Sequence, residues 1–335
     1  SLSGGDLTWS AGGRIGLVPD VTFRGNFTRS IRSPAITEAF NPSSTAYDAG
    51  ADPCDARFAG NGPNPAVRKA NCAAAGIDTA TFSSNFSSFG LPVTVAGNPD
   101  LRNEKANSWT LGAIVQPSFA PGLSVAVDWV SISLKDAIVT LDGASILNAC
   151  YDAPGYPNAF CKLFDRDASG QITAIREGYY NAASYKSAGL QATLSYRLPL
   201  ERIGVADAGA LGFAVNYFYR DKLETRVGTD DINHIAGEIG YPRHSGTANL
   251  SYEGRALDVL VQAQYVGKGR FDMDAAPDAT DVAGVGDWWL FNATVGVKVN
   301  ERFGLKLVVD NLFDVTPPWP APIDSGTGTF GSSTR

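Results

Sequence analysis

Residues 289–310 read WLFNATVGVKVNERFGLKLVVD, and this stretch decides the fold class. Apolar side chains occupy every second position on both sides of a short turn, Asn300-Glu301-Arg302. A period of two residues is typical of a β-strand that has one apolar face and one polar face. The stretch therefore predicts two neighbouring antiparallel strands joined by that turn.

The same alternation recurs through the chain, in about ten segments of mostly about 10–15 residues. The other segments lie near 9–17, 21–27, 109–115, 123–129, 190–198, 211–219, 247–253 and 257–265. Strands of soluble proteins usually have about five or six residues, whereas a tilted strand that crosses a bilayer needs about 9–11. Several segments carry an aromatic residue near one end, as in the interfacial girdle of a membrane barrel: Trp9, Trp109, Trp129, Tyr196, Tyr219, Tyr252, Tyr265 and Trp289. The pattern predicts an all-β, antiparallel transmembrane barrel.

The composition excludes several other classes of protein. No apolar run approaches the roughly 18 residues of a membrane-spanning helix, and the mean hydropathy is −0.07. Only 18% of the residues are charged, and the net charge of −7 disfavours nucleic acid as a partner. With two His residues and no CxxC spacing, we expect neither a metal site nor a cofactor. Since an alternating strand averages an apolar and a polar face, the near-zero hydropathy agrees with a barrel.

Short turns and long loops alternate along the chain. The long loops lie at about 33–103, 138–178, 222–238, 268–286 and 315–335. Outer-membrane barrels place short turns at the periplasm and long loops outside the cell. The same arrangement is predicted here.

The four cysteines form two close pairs, Cys54 with Cys72 and Cys150 with Cys161, each within a long loop. Neither pair has the CxxC spacing of thioredoxin-type or zinc chemistry. We therefore predict two local disulfides in an oxidising compartment. The alternative is four unrelated reduced thiols.

A few loop and strand residues are candidates for binding. Arg29 and Arg32 end a strand whose polar side faces the barrel interior, and a guanidinium there can contact a plug or an anionic ligand. Aromatic side chains in the loops can stack on a ligand: Tyr151, Tyr156, Tyr179, Tyr180 and Trp288. Each of these residues has a simpler interpretation, as solvated wall or as loop packing. Residues 165–172 match half of a calcium loop, but a tight turn explains them equally. No catalytic signature stands out, and we expect no enzyme activity.

Four segments resemble TonB-dependent outer-membrane receptors. Residues 26–40 read NFTRSIRSPAITEAF and are similar to the family segment SRSFRAPSLxELF. GNPDLRNEK at 97–105, followed by WTLG at 109–112, resembles GNPDLKPEKSxxYTLG, and VDWVSI at 127–132 resembles a family strand. The sequence VDNLFD at 309–314 contains Asn311, Leu312, Phe313 and Asp314 and looks like the VxNLFD motif of the penultimate strand. The four segments occur in the order of the family.

The resemblance implies that the chain is one part of a larger barrel. The family has a plug domain and a barrel of 22 strands, and counting back from the VxNLFD motif identifies ten strands, 12 to 21. We therefore expect residues 1–335 to be a single partial barrel domain, without plug, first barrel half or last strand. Such a sheet is open because it is truncated, and its edges near 7–18 and 302–315 are unpaired.

The resemblance also implies a function in the cell outer membrane of a Gram-negative bacterium, as an integral barrel among lipid and lipopolysaccharide. Such receptors actively take up a scarce nutrient, most often a ferric siderophore, powered by the TonB complex through the plug. Carbohydrate or cobalamin is an alternative cargo. Further alternatives are a passive porin or structural barrel, and a soluble extracellular adhesin.

Overall fold

The computed structural model describes residues 5–228, 232–276 and 283–318. Its strands are β1 (Trp9–Val18), β2 (Val21–Arg32), β3 (Ser44–Asp48), β4 (Leu91–Ala96), β5 (Glu104–Val115), β6 (Leu123–Leu141), β7 (Phe164–Arg166), β8 (Ile172–Pro199), β9 (Ala210–Val227), β10 (Asn233–His234), β11 (His244–Glu253), β12 (Leu257–Val266), β13 (Gly269–Arg270), β14 (Gly284–Val285), β15 (Trp288–Lys298) and β16 (Gly304–Val309). The α-helices are α1 (Ile36–Phe40), α2 (Pro65–Ala74), α3 (Asn85–Ser88) and α4 (Gly143–Tyr151). No helix among the described residues is long and apolar enough to cross a membrane.

Ten strands form one antiparallel sheet in the order β1-β2-β5-β6-β8-β9-β11-β12-β15-β16. Each strand pairs with the next long strand of the chain, because short turns can join only antiparallel neighbours. Within the described residues β1 and β16 each have a single neighbour, so the sheet is open. The predicted ten-stranded, open, antiparallel sheet is confirmed.

The register places the apolar positions of all ten strands on one face, which we call the apolar face. One row across the sheet runs through Leu111, Trp129, Leu190 and Tyr219. Nearer β1, the rings of Phe27 and Trp109 lie 4.5 Å apart across two strands. The opposite, polar face carries the intervening polar side chains, as alternation requires.

The connections separate into two rims. The turns after β1, β5, β8, β11 and β15 lie at one end of the sheet, the turn rim, and the long connections lie at the other, the loop rim. Aromatic side chains of the apolar face lie towards both ends. Trp289 packs on Tyr265 near the loop rim, with ring centroids 4.8 Å apart. Tyr252, at the turn rim, donates a hydrogen bond to the carbonyl of Ala208.

The main buried core lies outside the sheet, between the first two long loops. These loops carry α1 to α4, β3, β4 and β7, where the sequence suggested only irregular structure. We call their shared apolar interior the loop core: Cys54, Cys72, Ile77, Phe86, Val93, Leu141, Ile146, Leu147, Cys150, Tyr151, Phe164, Ile172 and Ile175. The strand β4 attaches this unit to the sheet by pairing in parallel with β8.

Both predicted disulfides are present in this unit. The Cα atoms are 5.6 Å apart in Cys54–Cys72 and 4.9 Å apart in Cys150–Cys161. Each bond closes a short segment within one loop, which restricts the unfolded chain.

Local sequence explains where the two longer helices of the loop core begin. The Asn64 side chain accepts a hydrogen bond from the amide of Val67, and Pro65 occupies the first turn of α2. Asp142 accepts from the amide of Ser145 in the same way at the start of α4. The apolar side chains of α4 then pack into the loop core.

Candidate ligand-binding site at the loop rim

A cavity of about 710 Å³ opens at the loop rim, between the loop core and the loops after β9 and β12. We call it the rim cavity. Eight of its ten lining residues have polar side chains: Asn61, Pro63, Arg68, Asn148, Asp152, Arg226, Ile232, Asn233, His234 and Asp274. The cavity is large enough for a small-molecule ligand, for which sites of about 300–1,000 Å³ are usual.

One wall of the rim cavity is a buried ion pair of the loop core. Arg68 donates to both carboxylate oxygens of Asp152 at 2.5 Å, and also to the side chain of Asn148 at 3.1 Å. A further bond to the carbonyl of Phe58 holds the guanidinium in place. Because its charge is matched by Asp152, Arg68 forms a fixed wall with little net charge.

The facing wall contains a histidine held by a carboxylate. Asp274 accepts hydrogen bonds from the backbone amide of His234 at 2.7 Å and from its ring Nδ1 at 2.6 Å. Burial acts to raise the pKa of Asp274, but the two hydrogen bonds from His234 outweigh it, and the pKa lies below its usual value. Asp274 is therefore an ionised acceptor that orients the imidazole.

Arg226 supplies the free positive charge of the cavity. Its side chain is exposed and, in the part of the chain that the structure describes, has no ion pair or side-chain hydrogen bond. The residue beside it on β8 is Ser184, which cannot neutralise it. A free guanidinium in a polar cavity can bind an anionic oxygen group in a two-point geometry.

The polar face of the sheet is a hydrogen-bonded wall. Arg24 pairs with both oxygens of Asp128 across the intervening Gly112 of β5. A side chain at Gly112 would collide with the Asp128 carboxylate, so the pair requires glycine at this position. Further round the sheet, Gln262 accepts from Gln264 at 2.9 Å and donates to Asn249 at 3.0 Å.

Comparison with known proteins places this architecture in a family. Residues 1–312 match the family model described as TonB dependent receptor-like, beta-barrel. The chain belongs to the TonB-dependent receptor β-barrel family. Members of this family are transporters rather than enzymes.

Solved receptors of the family share the fold of the chain. The siderophore receptor PirA from Acinetobacter baumannii matches with a TM-score of 0.56 at 15% identity, over 94% of this chain and 38% of PirA. A mutant of the ferric enterobactin receptor PfeA from Pseudomonas aeruginosa matches with a TM-score of 0.57 at 16% identity, over 94% of this chain and 36% of PfeA. The chain thus spans little more than a third of the length of these receptors. No curated protein matches the chain.

The two predicted arginines lie on opposite faces of β2. Arg32 points to the polar side, where it donates to Glu104 at 2.6 and 2.8 Å and to Glu38 at 3.1 Å. Arg29 has the same parity as Phe27 and pairs in register with Trp9, so it lies on the apolar face. Residues three apart on a strand face opposite ways, so the two arginines do not share a surface, and a contact of Arg29 with the plug or a ligand stays a prediction.

The structure buries Tyr151 in the loop core. It is 1% exposed, stacks on Tyr156 with ring centroids 5.6 Å apart, and accepts a hydrogen bond from Arg166 at 3.1 Å. A side chain so buried belongs to the loop core and is not a surface contact for a ligand. None of the predicted aromatic residues lines the rim cavity, and ligand contacts by Tyr156, Tyr179, Tyr180 and Trp288 stay predictions.

The VxNLFD-like motif closes the end of the sheet beside β15. Asn311 has a left-handed backbone, with φ of 52°, and its amide donates to the side chain of Asn292 at 2.9 Å. Its own side chain binds both the amide and the carbonyl of Val315. Phe313 packs edge-on against Phe291, and the backbone at Asp314 is also left-handed. The motif thus fixes the turn by which the chain leaves β16. Residues 319–335 of the last predicted loop lie outside the described residues.

The half-calcium motif forms a turn. Asp167 accepts hydrogen bonds from the amides of Ser169 and Gln171, and Asp165 pairs with Arg176 at 2.8 Å. Among the residues that the structure describes, no group of three or more His, Cys, Asp or Glu could hold a metal ion. The turn interpretation explains these contacts.

The sequence alone missed the rim cavity. Its two anchoring pairs join distant residues, Arg68 with Asp152 and His234 with Asp274, which are 84 and 40 positions apart. The sequence signal was limited to one His in a loop that also contains an arginine.

Proposed function

We propose that the chain is the barrel part of an outer-membrane receptor that takes up a scarce nutrient, a ferric siderophore, with energy from TonB. A plug domain elsewhere in the receptor would contact the TonB complex. The observation that carries the proposal is a rim cavity in a barrel of this family, in which the guanidinium of Arg226 has no partner among the described residues.

The apolar face supports a place in the outer membrane. Large side chains on it are unusually exposed, including Trp109 at 52%, Leu305 at 71% and Phe213 at 42%. Exposing such a face to water costs about 25 cal/mol for each Å² of apolar surface, whereas lipid covers it. Lipid and lipopolysaccharide are therefore the proposed surroundings of the sheet.

The rim cavity supports an anionic, oxygen-rich ligand. Arg226 offers a positive charge that no described residue pairs with, and Asn61, Asn148 and Asn233 offer amide donors and acceptors. Solved relatives bind such molecules, since PfeA has been solved in complex with enterobactin. The same amides also suit a carbohydrate, which is the second candidate cargo.

Growth experiments test the proposal. A strain with the gene deleted should grow slowly when iron is supplied only as the ferric siderophore that the receptor carries, and normally with excess free iron. A TonB deletion should cause the same loss of growth, whereas uptake through a passive porin would not depend on TonB. Unchanged growth on a panel of ferric siderophores, together with lost growth on a carbohydrate, would favour the second candidate.

A matched pair of arginine variants links this function to the rim cavity. Arg226→Ala should weaken ligand binding about 10- to 100-fold, as expected for the loss of a charged hydrogen bond. The control is Arg197→Ala at the turn rim, where Arg197 pairs with Glu253 far from the cavity. Equal uptake by both variants would contradict the assignment of the cavity.

A further inference from the structure

His234 is held at the rim cavity in one defined orientation. One carboxylate, that of Asp274, binds both the backbone amide and the ring Nδ1 of His234, so neither the main chain nor the ring is free to rotate. Asp274 is itself positioned, because its amide donates to the side chain of Asp272 at 2.7 Å. Nearly half of the His234 side chain stays exposed at the cavity.

The hydrogen-bond pattern also defines the tautomer. An ionised carboxylate accepts hydrogen bonds and cannot donate them, so the proton between the two groups belongs to Nδ1 of His234. In the neutral imidazole the lone pair is then on Nε2, which has no hydrogen-bond partner among the described residues. A histidine whose Nδ1–H is bound by a carboxylate, with Nε2 open, has the arrangement that orients metal-ligating histidines.

The charges around His234 favour an anionic molecule. In the register of β9 and β10, His234 pairs with Glu224, and Arg226 lies two residues further along β9 on the same face. Glu224 lies beside Lys186 of β8, and Arg226 has no ion-pair partner among the described residues, so its guanidinium can bind an anionic oxygen.

We propose that His234 is a direct ligand for the metal of an anionic chelate bound in the rim cavity, with Asp274 as its positioning residue. The inference rests on the proposed function and narrows the cargo to chelates with an exchangeable coordination position. In binding, Nε2 forms a dative bond to the metal and one water ligand leaves; no electron or proton is transferred. Imidazole suits copper, nickel, zinc and iron, and a metal already enclosed by six donor atoms does not fit.

Copper chelates test this site directly. The protein is expressed from its native gene, purified in detergent and titrated with Cu(II)–nitrilotriacetate, an anionic chelate that leaves open positions on the metal. Electron paramagnetic resonance should show imidazole nitrogen bound to copper. Cu(II)–EDTA, which has no comparable open position, should give no such signal.

Three variants assign the signal to His234. His234→Gln should remove it, and Asp274→Asn should weaken chelate binding by about 10-fold or more, as for other outer-sphere partners of metal ligands. His244→Gln is the control, because His244 pairs in register with Tyr219 and its Nδ1 is bound by the Tyr217 hydroxyl at 2.7 Å rather than by a carboxylate. Circular dichroism should show the same strand content in all three variants.

The proposal is rejected if His234→Gln keeps the copper signal of the wild type. It is also rejected if Asp274→Asn binds the copper chelate as tightly as the wild type, or if Cu(II)–EDTA gives the same spectrum. The copper measurement needs no transport. A positive copper result with unchanged growth of the deletion strain would therefore reject the proposed uptake function and leave the site intact.

Discussion

The guanidinium of Arg166 donates two hydrogen bonds to the carboxylate of Asp52, at 2.8 and 2.9 Å, and this buried pair joins the two long loops of the loop core. Arg166 also lies over the ring of Tyr151, at 5.4 Å from its centroid. Each disulfide stays within one loop, so the loops are held to one another by ion pairs, hydrogen bonds and apolar packing. The pair of Arg68 with Asp152 makes a second connection of the same kind.

Removing one partner of this pair should open the loop core. In Asp52→Ala the Arg166 charge remains buried without its counter-charge, and breaking a buried pair in this way costs about 3–5 kcal/mol. Hydrogen exchange of the α4 amides should rise accordingly, while exchange in the sheet stays unchanged.

The exposed pair of Asp165 with Arg176 provides the control for that prediction. Asp165→Asn should change the free energy of loop-core opening, measured by hydrogen exchange, by less than about 1 kcal/mol, because water screens an exposed ion pair. If both variants have the same small effect, the connection between the loops depends on apolar packing rather than on Arg166.

The disulfide between Cys54 and Cys72 should also stabilise the loop core. Its two cysteines are 18 positions apart, and a loop of that size loses about 3 kcal/mol of stabilisation when the bond is removed. Cys54→Ala combined with Cys72→Ala should therefore speed proteolysis of 50–90 under conditions where the wild type resists. Equal cleavage of both proteins would contradict this.

Gly112 should be essential for the ion pair on the polar face. Gly112→Ala places a methyl group against the Asp128 carboxylate, which must move and break its bond to Arg24. We expect a lower midpoint temperature for heat unfolding of the barrel. Unfolding is measured by the change in electrophoretic mobility between folded and unfolded barrel, on gels whose samples are not boiled before loading. Gly296→Ala is the matched control, since its methyl group would meet Asp258 only at ordinary contact distance, from 3.8 Å.

Acid should strengthen the attachment of α4 to β8. Burial, together with the nearby Asp48 carboxyl, raises the pKa of Glu177 to about 7 from an ordinary value of 4.5. Both carboxyls accept from the amide of Gly143, at 2.8 and 3.1 Å, and Asp142 adds a further negative charge nearby. The folded protein holds a proton that the unfolded chain has lost, so stability falls as the pH rises from about 4.5 to about 7.

Hydrogen exchange at α4, corrected for intrinsic rates, measures this pH dependence. Glu177→Gln cannot ionise and should show a flatter profile over the same range. An identical slope in the variant and the wild type would assign the pH dependence to another group.

Several features of the fold were readable from the sequence because they depend on local alternation. A strand turns successive side chains to opposite faces, so the pattern around Trp289 and Leu305 defined both strands and the face that each residue occupies. The same parity separates Arg29 from Arg32 in the sequence itself. The cysteine spacings likewise pointed to bonds within each loop.

The tertiary structure decided what depends on contacts between distant segments. The loop core forms because buried Arg166 and Arg68 find Asp52 and Asp152 in another loop, and no period within either loop encodes that pairing. In the same way, His234 acquires an orientation only from Asp274, 40 residues away. Alternation therefore determined the barrel sheet from the sequence, whereas the rim cavity required the folded loops, because its chemistry arises where separate loops meet.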